Sequence, residues 1–245
     1  MSGSRDDEWI IKIEMILQFM NENNVKTCSI WRVPEKQRVP GLGSRPQLAA
    51  MGPIHRGTKS ELQIMEEAKW RYMHHLLSRP TGNLQCMTLR SCCELLIGFD
   101  SIIRASYADG ETMELGAEEL ARIMLLDGCF LLELLLKLHE NVIPDPPLRR
   151  NQSDPSLDFT DGKKKILRVL TDLTLLENQI PFLVLELLSL EASPEKELSP
   201  EKLAESLFGC KVASAGFSKG VSHFLHLMHS CSPDPYDQRR DIHES

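Results

Sequence analysis

Apolar residues recur every three or four positions through most of the chain, the spacing that gives an α-helix one buried face. Leu62, Met65, Tyr72, Met73 and Leu76, with the stem of Lys69 among them, form such a stripe behind a Ser60 N-cap. The same period predicts helices near residues 8–21, 60–78, 85–107, 117–126, 128–140, 163–177, 180–191, 200–208 and 219–230. Only residues 28–33 and 47–51 read as extended, each running into Pro34 or the Gly52-Pro53 pair that bars helix continuation. The expected fold is therefore mainly α, a multi-helix globular domain with a short extended or β-ribbon segment near residues 28–52.

Punctuation divides the helices. Residues 141–162 hold Pro144, Pro146, Pro147 and Pro155 and little apolar content, which predicts a mobile surface loop separating two helical halves of one domain. Ser-Pro-Glu-Lys occurs twice, at 193–196 and 199–202. The second copy places Ser199 at an N-cap, Pro200 at the first helical position and Glu201 against the positive end of the helix dipole. A proline-directed phosphorylation site is the alternative reading of the pair.

Composition narrows the function classes. With 245 residues, 42% of them hydrophobic and 26% charged, the chain has material for a sizeable core. Twenty-eight basic against 35 acidic residues give a net charge of −7, which argues against a nucleic-acid partner. Seven cysteines without a C-x-x-C pair fit neither a disulfide framework nor a zinc site. The apolar stretch from Trp9 to Met20 is interrupted by Lys12, Glu14 and Gln18, so it reads as an amphipathic helix rather than a signal peptide. Residues 123–138 are broken by Asp127 and Glu133, and residues 180–190 by Glu186, so neither is expected to span a bilayer. The expectation is a soluble, cytoplasmic protein without a cofactor.

Candidate chemistry is sparse. Residues 216–220, Gly-Phe-Ser-Lys-Gly, fit the nucleophile-elbow pattern, but no acid and histidine follow in the order and setting that elbow needs. His223, His226 and His229 drift around their helix instead of sharing one face, so no metal site is expected. Asp127 and Glu177 are carboxylates in apolar surroundings, which raises a general acid–base pair as an alternative, with His55 nearby. The structural reading has Asp127, beside Gly128, capping a following helix, while Glu177, Asn178 and Gln179 join two helices at the break Pro181 forces. Cys129 reads as a small core residue. Lys163, Lys164, Lys165 and Arg168, with Arg149 and Arg150, read as a solvated helix start and loop, and the sequon at Asn151 as chance.

Three blocks together resemble the plant "domain of unknown function 247" family. The first is Ile30-Trp31-Arg32-Val33-Pro34, followed by Pro46, Gly52-Pro53-Ile54-His55-Arg56-Gly57, Met65-Glu66 and Lys69-Trp70-Arg71-Tyr72. The second is Met124-Leu125-Leu126-Asp127-Gly128-Cys129-Phe130, and the third Leu175-Leu176-Glu177-Asn178-Gln179-Ile180-Pro181-Phe182. The sequence departs from the pattern at Ile54, where tyrosine is usual, and at Arg56, where a second histidine is usual. The resemblance implies plant origin, and it reads residues 1–245 as the N-terminal portion of one family domain lacking a C-terminal membrane segment. It also implies membrane association through that segment and, in certain grass members, a part in self-incompatibility recognition. It brings no catalytic residues. The family-motif residues singled out as candidates are Arg32, Val33, Pro34, Gly52, Pro53, His55, Gly57, Lys69, Asp127, Gly128, Cys129, Phe130, Glu177, Asn178, Gln179 and Pro181. The expected function is a non-catalytic interaction or recognition module with a protein partner, without nucleic acid or small-molecule substrate. An enzyme using Asp127 and Glu177, and a nonfunctional truncated fragment, are the alternatives.

Overall fold

The computed structural model describes residues 28–38, 45–57, 61–79, 88–108, 110–142, 159–192, 199–208 and 221–230. Within them the chain forms a 3₁₀ turn, Glu35–Gln37, and helices α1 (Glu61–Leu77), α2 (Leu89–Gly98), α3 (Asp100–Ala105), α4 (Ala117–Val142), α5 (Phe159–Asp172), α6 (Phe182–Ala192), α7 (Pro200–Phe208) and α8 (Phe224–Ser230). The mainly helical expectation holds. The N-terminal amphipathic segment 8–21, the Ser60 cap, residues 216–220, Arg149, Arg150 and Asn151 lie outside the described residues, as do the side chains of Lys163, Lys164 and Lys165.

Several helix boundaries differ from the periodic pattern, among them that of α8, which begins at Phe224 and not near residue 219 because Ser222 and His223 pair with Phe182 and Pro181. The helix expected over 85–107 is two, because Phe99 turns its buried ring into the core between Gly98 and Asp100. Asp100 then pairs with Arg104 one turn on, at 2.7 Å. The break expected between Leu126 and Gly128 does not occur, and α4 runs through it unbroken. A Cβ at Gly128 would stand 2.5 Å from Leu188 Cδ1 and 3.0 Å from Val184 Cγ1, so the missing side chain lets α6 pack close against α4. Helix α5 starts earlier and stops earlier than residues 163–177, and α4 and α5 take both ends of the expected 141–162 loop. At α7 the expectation holds to the residue: Ser199 Oγ accepts the Lys202 N–H at 3.3 Å, with Pro200 opening the helix.

Helix α4 is the axis of the core. It packs against α1 and α2 on the N-terminal side of the chain and against α6 and α7 on the C-terminal side. Met124, Cys129, Phe130 and Leu135 of α4 are buried together with Tyr72 of α1, Leu96 of α2, Val184 and Leu188 of α6, and Ala204 of α7. One apolar cluster thus runs from Ile30 to Leu227. Among the described residues no helix is long and apolar enough to cross a membrane.

The two extended stretches do not pair with each other among the described residues. Ser29 and Ile30 both donate to the Ser106 carbonyl at 3.0 Å, and Ala108 donates back to Ile30 at 2.9 Å, an isolated parallel bridge beyond the end of α3. Residues 47–51 hydrogen-bond instead to side chains, as follows.

Candidate functional site

Gly52–Gly57 and the stretches before it are held on the helical body by four polar side chains. Asp172 closes α5, and its carboxylate accepts three successive backbone N–H groups, from Gln47 at 2.9 Å, Leu48 at 2.7 Å and Ala49 at 2.8 Å. Asn178 continues the row: its Oδ1 accepts the Met51 N–H at 2.7 Å, and its Nδ2 donates to the carbonyls of Ala49 and Asp172 at 2.9 and 3.0 Å. Asp127, from the middle of α4, accepts the Gly52 N–H at 2.8 Å. Glu177 accepts the Val33 N–H at 2.7 Å and Arg38 Nη2 at 3.0 Å.

Asp127 is also the centre of a buried charge cluster. Lys69 Nζ lies 2.7 Å from Asp127 Oδ1 and 2.7 Å from Glu66 Oε1, and it donates to the Ala50 carbonyl. Arg56 reaches Asp127 Oδ2 at 3.1 Å and Glu66 Oε2 at 2.7 Å. Lys69 and Asp127 are both 0% exposed, so their charges had to leave water. Two cations against two carboxylates, with each group hydrogen-bonded, is the arrangement that makes such burial tolerable. The sequence pattern placed only the Lys69 stem inside; its ammonium group is inside as well.

On the other face of the loop, His55 Nε2 stands 3.0 Å from Glu177 Oε2. Burial, the largest influence, holds its imidazole below the ordinary range, with Arg32 and Arg45 acting the same way and Glu177 opposing them. Arg32 donates to the Ile54 carbonyl at 3.1 Å while its Nε contacts Glu111 at 2.9 Å. Gly52 has φ +67°, and a Cβ there would stand 2.5 Å from the Gln179 carbonyl oxygen and 2.9 Å from Tyr107 Oη. Gly57 has φ +74°, so both ends of the loop use the left-handed region that favours glycine. Val33 and Pro34 form the entry: the Val33 carbonyl accepts Arg38 Nε at 3.0 Å, and the Pro34 carbonyl accepts the Gln37 N–H at 2.8 Å. Pro53 accepts the Arg56 N–H at 3.4 Å, turning the loop back.

The third block closes the site from below. Gln179 donates to the Leu173 and Leu175 carbonyls at 2.6 and 2.9 Å and accepts the Leu225 N–H at 3.0 Å, while its own carbonyl takes the Tyr107 hydroxyl at 3.1 Å. Pro181 forms an isolated antiparallel bridge with His223, and Phe182 donates to the Ser222 carbonyl at 2.9 Å. Phe130 packs its ring 5.1 Å from that of Tyr72. Cys129 is buried, and burial pushes its thiol far above the usual range.

The polar candidates drawn from three distant blocks therefore converge on one seam, while Gly128, Cys129 and Phe130 belong to the apolar core beneath it. One expectation is corrected: Asp127 caps no helix, since it lies inside α4 and turns sideways to the loop. Asp127 and Glu177 flank the same loop, yet each already holds a backbone N–H and a cation. His223 and His226 turn their Nδ1 atoms to backbone N–H groups, of His226 at 3.2 Å and Ser222 at 3.3 Å. Among the described residues no group of histidine, cysteine, aspartate or glutamate side chains is placed to hold a metal ion.

Sequence reasoning missed Asp172, Arg38 and Tyr107, and quoted Glu66 only as a motif position. Periodicity runs the helix that carries Asp172 on to residue 177 and so places Asp172 inside it; only the observed end of α5 sets its carboxylate against the negative end of the dipole.

Comparison with known proteins agrees with these blocks. A family of plant proteins of unknown function, the domain of unknown function 247, matches residues 30–244. An Arabidopsis thaliana protein of the UPF0481 group is 30% identical over 165 residues, which is 66% of this chain and 31% of that relative. The chain thus spans less than a third of that relative's length. No solved structure matches. With the match running across nearly every element described above, the chain belongs to the plant domain of unknown function 247 family.

Proposed function

We propose that this chain is a non-catalytic protein-interaction module whose polar seam sets the shape of its surface. The observation that carries the reading is how the motif blocks divide their residues between inside and outside. Ile30 is buried and Arg32 and Val33 are tied to the loop and to Glu177, while Trp31 between them is 42% exposed. Lys69 and Tyr72 are buried, while Trp70 is 47% exposed. Both tryptophans are held outward by neighbours that are fixed inward. Tryptophan on a rigid support is the residue type that most often anchors a protein interface.

The seam itself supports the same reading. Both oxygens of Asp127 already receive donors, and Glu177 is shared between Val33, Arg38 and His55. Asp127 and Oε1 of Glu177 are thus engaged in holding the chain, and Oε2 of Glu177 is turned to the buried His55 ring, where a proton-transferring pair would face a substrate.

Affinity capture with cross-linking from the source tissue tests the proposal, using the wild type beside Trp31→Ala and Trp70→Ala. The expected result is a reproducible protein partner that at least one substitution removes at unchanged thermal stability. Recovery of no partner, or of the same partners with both variants, would sink it.

A further inference from the structure

His55 sits where the two sides of the seam meet. It is 2% exposed, and its loop is gripped around it: Asp127 holds Gly52 and Arg56, Arg32 holds the Ile54 carbonyl, and Glu177 stands against the ring. Glu177, Arg32 and Arg45 act on the imidazole from three segments, and Arg38 and Glu111 pair with two of them. Glu177 lies in the α5–α6 connection, Arg38 follows the 3₁₀ turn and binds Glu177, Arg32 lies in the first extended stretch and pairs with Glu111, and Arg45 precedes the second stretch. With the ring neutral, Arg32 and Arg45 act there against the one anion Glu177. A charged ring adds a third cation, at a position from which water is shut out, while Oε1 of that same carboxylate already serves Arg38 and a backbone N–H. The attraction it can still offer falls short of the hydration the imidazolium loses.

We propose that protonation of His55 loosens residues 28–57 from the helical body, making this seam an acid-sensitive fastener. The proposal is independent of which partner the module binds. Freed from the seam, His55 regains the ordinary value of 6.5, so each opening takes up a proton once the pH falls below it. Opening then becomes more frequent by at most about tenfold per pH unit for this one proton.

Hydrogen exchange of the full chain at pH 7.0 and 5.5, corrected for the intrinsic chemical rate, reads this directly. In the wild type, peptides containing Val33 and residues 52–57 are expected to lose protection several-fold at the lower pH. His55→Gln is expected to abolish that loss, and His223→Gln, which removes the other buried imidazole, to preserve it. Constant wild-type protection, or the same acid loss in His55→Gln, would overturn the proposal. Should His55→Gln fail to fold, the wild type and His223→Gln still decide: a loss that vanishes in His223→Gln assigns the effect to the wrong histidine.

Discussion

Gly52 is fixed by two demands at once, a φ of +67° and the Gln179 carbonyl 2.5 Å from where a Cβ would be. Gly57 has the first demand without the second, since nothing lies within 4 Å of its Cβ position. Gly52→Ala should therefore cost well over the roughly 1 kcal/mol of left-handed strain expected for Gly57→Ala. Urea unfolding of the two variants side by side checks this, and equal losses would refute it. Lys69 is the second singular residue. Lys69→Met strips Asp127 of one of its two cations and frees the Ala50 carbonyl, so a loss of about 3–5 kcal/mol is expected. A change under about 1 kcal/mol in the same measurement would mean that Arg56 alone satisfies Asp127.

Among the elements, α4 shows where local pattern and tertiary demand part. Asp-Gly inside an apolar run reads as a boundary, because both residues are poor helix formers. Here each has a long-range reason to be there: Asp127 for Gly52, Arg56 and Lys69, and Gly128 for the flank of α6. Gly128→Ala gains about 1 kcal/mol of helix propensity and meets overpacking of about 1–3 kcal/mol. A net loss near 1 kcal/mol is expected by chemical denaturation, and Gly128→Leu should lose clearly more.

The same contrast explains how much was readable beforehand. Helices with one apolar face, such as α1 and α7, are written in 3.6-residue periodicity. The resemblance lists blocks one to three along the chain, and only the structure brings them together, through the bonds of Glu177 to Val33, Asn178 to Met51 and Asp127 to Gly52. Asp172 was invisible either way: its partners Gln47, Leu48 and Ala49 lie more than 120 positions away, and no local rule connects a helix end to an extended stretch at that distance. Lys69 was half legible, since its stem obeys the apolar period while its buried ammonium depends on Asp127 of another helix.

At the scale of the whole molecule, both sides of the chain pack on one helix. Neither α1 and α2 nor α6 and α7 have a separate core, because their apolar residues belong to one cluster. Calorimetric melting should therefore show a single cooperative transition, and a broad or two-step trace would argue for a core left incomplete. Acid should weaken it. His223 is buried, and burial, with His226 adding to it, lowers its imidazole to about 4. The folded state thus keeps this ring neutral while the unfolded chain protonates it near 6.5. Its contribution is complete above pH 6.5 and is lost as the pH falls toward 4, on the order of 3 kcal/mol for the full interval. His223→Gln should flatten that part of the stability profile, and an unchanged slope would contradict it.

The row of acceptors formed by Asp172, Asn178 and Asp127 grips the main chain of residues 47–52, not its side chains. Tolerance to sequence drift follows from this. Gln47, whose exposed side chain the row does not read, is free to vary among most residue types without disturbing it, while Leu48 also packs against the core. Proline is the exception at positions 47, 48, 49, 51 and 52, because each supplies an N–H that proline lacks. A saturation library over these positions would thus be expected to show one shared prohibition and, at 47, little else.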